Sequence, residues 1–179
     1  MQISAQKEPR AAYEIYIMRH GIASKRTGDG GALEDAKRNL TAEGKEKMRK
    51  IGRGLQSLCV SLDWIVTSPL VRAVETAEIV AQSFDPAVRL DLCDGLRPGE
   101  PAEKILSLLA KQPGRVRVLL VGHEPDLGNL AARLIGAGPH ANLVLKKGGC
   151  CLITSGHLSP GMQGQLVWWL TPRMLRAMA

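Results

Sequence analysis

Apolar residues along this chain fall into short solid runs and longer interrupted stripes, and the two kinds alternate. The runs Ile15–Met18, Asp63–Thr67 (DWIVT) and Val116–Val121 (VRVLLV) are too short for helices, and they predict strands. The last is the most hydrophobic, as expected of a parallel strand covered on both faces. The stripe Met48, Ile51, Leu55, Leu58 has helical spacing and predicts a helix over Ala42–Leu58, with Thr41 as N-cap and Glu43 in its first turn. Ser68 as N-cap and Pro69 at the first helical position open another over Leu70–Ser83, burying Val71, Val74, Ala77 and Ile79 or Val80. Ile105, Leu108 and Leu109 mark a helix over Ala102–Ala110. Leu127, Leu130, Ala131 and Leu134 mark one closed by Gly136.

The segments between these elements carry no period. Ile22–Asn39, with Gly28, Gly30 and Gly31, reads as a loop, and Asp85–Pro101 as irregular chain with a short strand around Val88–Leu90. Cys150–Thr154 and Gln165–Leu170 read as two strands around a Gly/Ser/Pro turn, paired with each other and the sheet edge, with Trp168-Trp169 core on one face and partial surface on the other. Strand, loop and helix thus recur in succession. The repetition predicts an α/β fold: a single three-layer α/β/α domain with a mostly parallel sheet, residues 13–179, behind a polar tail at 1–12.

Composition narrows the function classes. With 179 residues, 45% hydrophobic and 23% charged, the chain can bury a proper core and is neither disordered nor fibrous. No apolar run approaches the ~20 residues a membrane helix needs, and MQISAQKEPR lacks a signal-peptide core. Cys59, Cys93, Cys150 and Cys151 have neither CxxC nor zinc spacing, which fits buried thiols in a reduced, cytoplasmic protein. The net charge of +7 raises the question of nucleic acid. Lys45, Lys47, Arg49, Lys50 and Arg53 instead share a helix with core positions as its solvated face, and one Phe and two Tyr are few for a stacking surface. No nucleic-acid or membrane partner is expected, and the positive field favours phosphate and acidic proteins.

The chemistry stands where predicted strands end. Arg19, His20 and Gly21 follow the first strand, Arg72 lies on the first turn after the second, and His123 follows the Val116–Val121 strand. Open α/β sheets place their ligand crevices at such ends. Gly21 allows a tight turn and close approach of a ligand to the backbone. Arginines match phosphate oxygens in bidentate fashion. A neutral histidine has a lone pair that can attack phosphorus, and a second one can serve a non-bridging oxygen. No Walker loop is present. HEPDL lacks the second histidine of HExxH, and Pro125 interrupts the helix such a site needs, so neither metal nor cofactor is expected. His140 and His157, beside Pro139 and Ser159 in turn-like sequence, read as structural.

The segments MRHG (Met18–Gly21), SPLVRAVETA (Ser68–Ala77) and VGHEPDL (Val121–Leu127) resemble, in order, the motifs of the histidine phosphatase (phosphoglycerate mutase-like) superfamily. The resemblance implies a phosphoglycerate mutase-like fold and a covalent mechanism. His20 would be the nucleophile, Arg19 and Arg72 the phosphoryl ligands, and His123 the residue completing the pocket. The short length, the Arg-x-Leu-Thr-x-x-Gly segment at Arg38–Gly44 and GHEPDL are most similar to the small phosphohistidine phosphatase SixA group. Arg38 matches an arginine that can approach the phosphate there. The absence of room for capping insertions suits a phosphorylated side chain on a partner protein, such as a phosphotransfer domain or carrier protein.

One departure concerns the proton donor that many relatives carry before the second-histidine strand. Here that stretch is Leu92–Glu100, and its carboxylates Asp94 and Glu100 are candidates without a clean match. An imidazole leaves more readily than an alkoxide, so a missing acid favours phosphohistidine and predicts poor activity on alkyl phosphates. Two alternatives stand beside this reading. One is a phosphatase of a small phosphoester or pyrophosphate, and the other a non-catalytic phosphoprotein-binding module.

Overall fold

The computed structural model describes residues 13–25, 31–58, 61–84, 88–138, 141–157 and 163–179; the polar tail, Cys59 and His140 lie outside them. The chain runs β1 (Tyr13–Arg19), α1 (Ala32–Ala36), α2 (Ala42–Ser57), β2 (Trp64–Thr67), α3 (Val71–Ala81) and β3 (Leu90–Leu92). After a 3₁₀ turn at Asp94–Leu96 come α4 (Ala102–Ala110), β4 (Arg117–Gly122), α5 (Asp126–Leu134), β5 (Cys150–Ser155), β6 (Gln165–Leu170) and α6 (Pro172–Ala177). The strands form one sheet in the order β3-β2-β4-β1-β5-β6. Its first four strands are parallel, while β5 runs antiparallel to β1 and β6 antiparallel to β5. The fold is the mostly parallel α/β architecture that the alternation of runs and stripes predicts.

Alternation along each strand divides the core between the two faces of the sheet. Ile15, Ile17, Trp64, Val66, Val118 and Leu120 pack against Ile105 and Leu109 of α4 and Leu127, Leu130 and Leu134 of α5. Tyr16, Met18, Ile65, Leu119 and Val121 face Met48, Ile51 and Leu55 of α2, Ala73, Ala77 and Val80 of α3, and Leu175 of α6. Trp169 joins the first cluster and Trp168 the second, with the Trp168 ring 5.9 Å from Tyr16. The adjacent cysteines divide in the same way, both buried.

Register sets the site. Arg19 lies opposite Gly122, and Thr67 and Met18 each lie opposite Val121, so β1, β2 and β4 end at one edge of the sheet. The residues that follow them must emerge side by side.

The predicted boundaries shift in four places. Helix α1 lies inside the stretch predicted as loop, and α6 has no counterpart among the predicted elements. The short strand begins at Leu90, where it pairs with Ile65, rather than at Val88. Thr41 caps α2 as expected, its Oγ1 accepting from the Gly44 amide at 2.9 Å. Ser68 does not cap α3: that helix starts at Val71 with Leu70 at its N-cap, and Ser68 is used elsewhere.

Helix α6 closes over α2 at a glycine. A Cβ on Gly54 would stand 1.9 Å from the Leu175 carbonyl oxygen, and Ser57 Oγ donates to the Met178 carbonyl at 2.6 Å on the same seam. Backbone cannot yield there as a side-chain tip would. Gly54→Ala should therefore destabilise by about 1–3 kcal/mol despite its better helix propensity, read as a lowered thermal midpoint. An unchanged midpoint would show that α6 yields freely.

Candidate active site

The helix that follows β2 ties the sheet edge together. Arg72 and Thr76 lie one turn apart on α3, so both face the end of β1. Thr76 Oγ1 accepts from the Gly21 amide at 3.0 Å and donates to the Arg72 carbonyl at 2.7 Å. Glu75 reaches the other way, accepting from the Leu40 amide at 2.6 Å and pairing with Lys45 at 2.6 Å. The segment SPLVRAVETA is thus a row of contacts, each fixing a different part of the same rim.

His20 is buried with its two ring nitrogens differently committed. A carbonyl oxygen only accepts, so the 2.7 Å contact of Nδ1 with its neighbour Gly21 places the proton on Nδ1 and the lone pair on Nε2. Arg72 Nε donates towards that lone pair at 3.3 Å. Burial first, then the charges of Arg72, Arg19 and Lys147, push the His20 pKa down to about 3, against the partly opposing Gly21 bond. The imidazole is thereby held neutral at physiological pH, with the Nε2 lone pair free of a proton.

His123 stands beside it, ring centroids 5.2 Å apart. Its Nε2 lies 2.8 Å from Ser68 Oγ, which is why Ser68 is turned inward and not used as a cap. Burial, then His20 and Arg72, lower its pKa to about 3, while Asp35 opposes them. Its Nδ1 is buried without a partner among the described residues. Ser68 Oγ also accepts from the Leu70 amide at 3.4 Å, so Nε2 is tied to this hydroxyl and Nδ1 is the ring nitrogen left open.

Arg19 is aimed by a turn. Its Nη1 donates to the Leu145 carbonyl at 2.9 Å, and the Leu145 amide donates to Glu124 Oε1 at 2.7 Å. Burial raises the Glu124 pKa, so this carboxyl is a backbone anchor held in a poorly solvated place. The turn continues to Gly148, at φ +78°, whose amide donates to the Arg19 and His20 carbonyls at 3.0 and 3.2 Å. Only glycine fits there readily, since a Cβ would also meet Ile51 Cδ1 at 2.8 Å.

Helix α1 brings in a residue that the sequence pattern does not single out. Arg72 Nη2 donates to Asp35 Oδ2 at 3.0 Å and Nη1 to the Asp35 carbonyl at 2.7 Å. Asp35 Oδ1 pairs with Arg38 at 2.8 Å, and Arg38 Nη1 also donates to the Ser24 carbonyl at 3.0 Å. Arg72 and Arg38 together hold the Asp35 carboxyl below its usual range against a desolvation that raises it. The two guanidinium groups share one carboxylate at the mouth of the site. A signal was present in the sequence, since Asp35 precedes Arg38 by one helical turn, but a loop gives no reason to pair them.

The structure brings Arg19, His20, Arg72 and His123 together and sets Arg38 behind Asp35. Gly21 also meets a packing need, because a Cβ there would meet Met48 Cγ at 2.8 Å. Asp94 is exposed and paired with Arg97 at 2.6 Å, Glu100 pairs with Lys104, and neither hydrogen-bonds any of the four. His157 is exposed.

Known proteins resemble this chain in sequence and fold. The histidine phosphatase superfamily (branch 1) profile matches residues 15–98. A phosphohistidine phosphatase SixA homolog of Haemophilus influenzae is 34% identical over 131 residues, 68% of this chain and 77% of that protein. Phosphohistidine phosphatase SixA of Escherichia coli is 28% identical over 123 residues, 68% of this chain and 73% of that one. The structure of the protein histidine phosphatase SixA complexed with tungstate superposes with a TM-score of 0.77 at 23% identity, over 90% of this chain and 99% of that one. A neutral histidine pair ringed by arginines at one sheet edge, on this fold and with these relatives, places the chain in the histidine phosphatase superfamily, beside the SixA group.

Proposed function

We propose that this phosphatase removes the phosphoryl group from phosphohistidine on a partner protein, with His20 as the transient acceptor. The observation that carries the reading is the hydrogen bond from Nδ1 of His20 to the Gly21 carbonyl, which commits the Nε2 lone pair to attack. In the first step Nε2 bonds to phosphorus as the bond from phosphorus to the substrate nitrogen breaks. The substrate imidazole, protonated on its other nitrogen, leaves neutral and needs no protein acid. In the second step water attacks the phosphoenzyme, inorganic phosphate departs, and Nε2 regains its lone pair.

Arg19 and Arg72 hold the non-bridging oxygens, and His123 Nδ1–H serves a third. Arg38 reaches the phosphate only if Asp35 moves aside. The exposed, ion-paired state of Asp94 and the Glu100–Lys104 pair support a leaving group that manages without either carboxylate. The SixA relatives support phosphohistidine as the substrate class.

The deciding experiment compares a histidine-phosphorylated carrier protein, phosphoserine and p-nitrophenyl phosphate as substrates of the purified protein. The carrier should be turned over with the highest kcat/KM, with a phosphoenzyme trapped on His20. Comparable rates on phosphoserine would refute the reading. His20→Ala should lower turnover by roughly a thousandfold or more while the thermal midpoint is kept.

Asp35 gives a second expectation. Its carboxylate occupies the arginine donors that the phosphoryl group needs, so Asp35→Asn should tighten inhibition by inorganic phosphate on the order of tenfold, about 1.4 kcal/mol. Weaker inhibition in that variant would make Asp35 a support for the arginines rather than their resident anion.

The depressed histidine pKa values also predict how stability follows pH. The unfolded chain takes up protons on His20 and His123 near pH 6.5, whereas the folded chain refuses them down to about 3. Stability from these two groups is complete above 6.5 and falls as pH drops towards 3. The thermal midpoint of the His20→Asn, His123→Asn double variant should follow pH less steeply over that interval than the wild type does.

A further inference from the structure

A second concavity adjoins the catalytic pocket and plays no part in the chemistry above. It has a volume of about 190 Å³, with Gly21 and Met48 at its floor and Lys47, Lys147, Arg173 and Arg176 on its walls. Three elements supply these cations: α2, the turn after Leu145, and α6. No carboxylate or aromatic ring lines it. Lys47 has a partner at the rim in Glu43, whereas Lys147, Arg173 and Arg176 pair with no carboxylate among the described residues. Isolated surface cations are ordinary, but here four converge on one groove, and the carboxylate beside them, Glu43, which pairs with Lys47 and feels the charge of Arg176, leaves the groove positive on balance.

The groove is built on rigid parts. The Gly148 amide clamps the turn carrying Lys147 to the carbonyls of Arg19 and His20, so Lys147 is registered to the nucleophile, and its charge helps depress the His20 pKa. The seam at Gly54 fixes the helix carrying Arg173 and Arg176 on α2. The anion-accepting surface therefore continues from the phosphoryl site through Gly21 into the groove.

We propose that this groove docks an acidic patch of the partner protein, its Asp and Glu side chains entering while the phosphorylated side chain reaches His20. The inference rests on the phosphoprotein substrate proposed above. The charge complement selects the occupant: several spread cations suit several carboxylates on one surface. The lack of a ring disfavours nucleic-acid bases, which stack. Rim charges of this kind act mainly on encounter and salt dependence.

The test is the Arg173→Glu, Arg176→Glu double variant, with Lys111→Glu beside α4 as a charge control and Arg173→Gln as a milder substitution should the double variant fail to fold. Each is measured with two histidine-phosphorylated carriers. One has Asp and Glu around the phosphohistidine, and in the other those residues are Asn and Gln. With the acidic carrier the double variant should raise KM on the order of tenfold with kcat unchanged, and the neutral carrier should show a much smaller difference between variant and wild type. Turnover of p-nitrophenyl phosphate should be unchanged by the substitutions. Rising salt should weaken wild-type turnover of the acidic carrier, and this dependence should flatten in the variant. If wild type and variant turn over the acidic carrier with equal KM, the groove is no docking site and the functional reading survives. Docking of an acidic protein is equally refuted if the substitutions abolish retention on duplex DNA or anionic vesicles while KM for the carrier stays put. If the wild type turns over neither carrier but does hydrolyse p-nitrophenyl phosphate, the phosphoprotein reading falls, and the docking inference with it.

Discussion

A single proton decides what this site can do. His20 points its Nδ1–H at the carbonyl of the very next residue, and that local bond leaves the opposite nitrogen as a lone pair at the end of β1. The bond depends on the path of the chain at Gly21, which in turn depends on Thr76 holding the Gly21 amide and on Met48 filling the space a side chain would take. An imidazole free to flip would present an N–H as readily as a lone pair. The strand end, α3 and the floor of α2 act together to keep one nitrogen available.

Cations surround that nitrogen without protonating it. Burial alone disfavours the imidazolium form, and Arg72, Arg19 and Lys147 add repulsion. The positive charge that keeps a proton off Nε2 is the same charge that would draw in a phosphoryl group, so attraction of an anion and availability of the lone pair share one cause. The guanidinium groups bear their own desolvation through directional bonds: Arg19 to the Leu145 carbonyl, Arg72 to both the backbone and side chain of Asp35.

Much of this is legible in the residues. Short solid runs become β1, β2 and β4 because strands covered on both faces tolerate no polar interruption, and the chemistry falls at their ends because parallel connections leave those ends open. Arg19, His20, Arg72 and His123 can be placed together on that logic. What escapes is carried by tertiary contact. Ser68 reads locally as a helix cap, but the ring of His123 competes for its hydroxyl and wins. Helix α1 is a five-residue helix in polar sequence, without a stripe to betray it, and so Asp35 has no periodic signal to draw it into the site. Leu145 acts through its peptide, and Lys147 through a turn that needs Gly148; neither leaves a mark in side-chain pattern.

The carboxylate of Asp35 makes the pocket far less positive than its arginines alone would. At Arg72 and Arg38, a ligand bearing one negative charge would trade like for like with it. A dianionic phosphoryl group gains a full additional charge in the same field. The carboxylate thus sets a threshold of charge that an incoming anion must exceed at these two guanidinium groups.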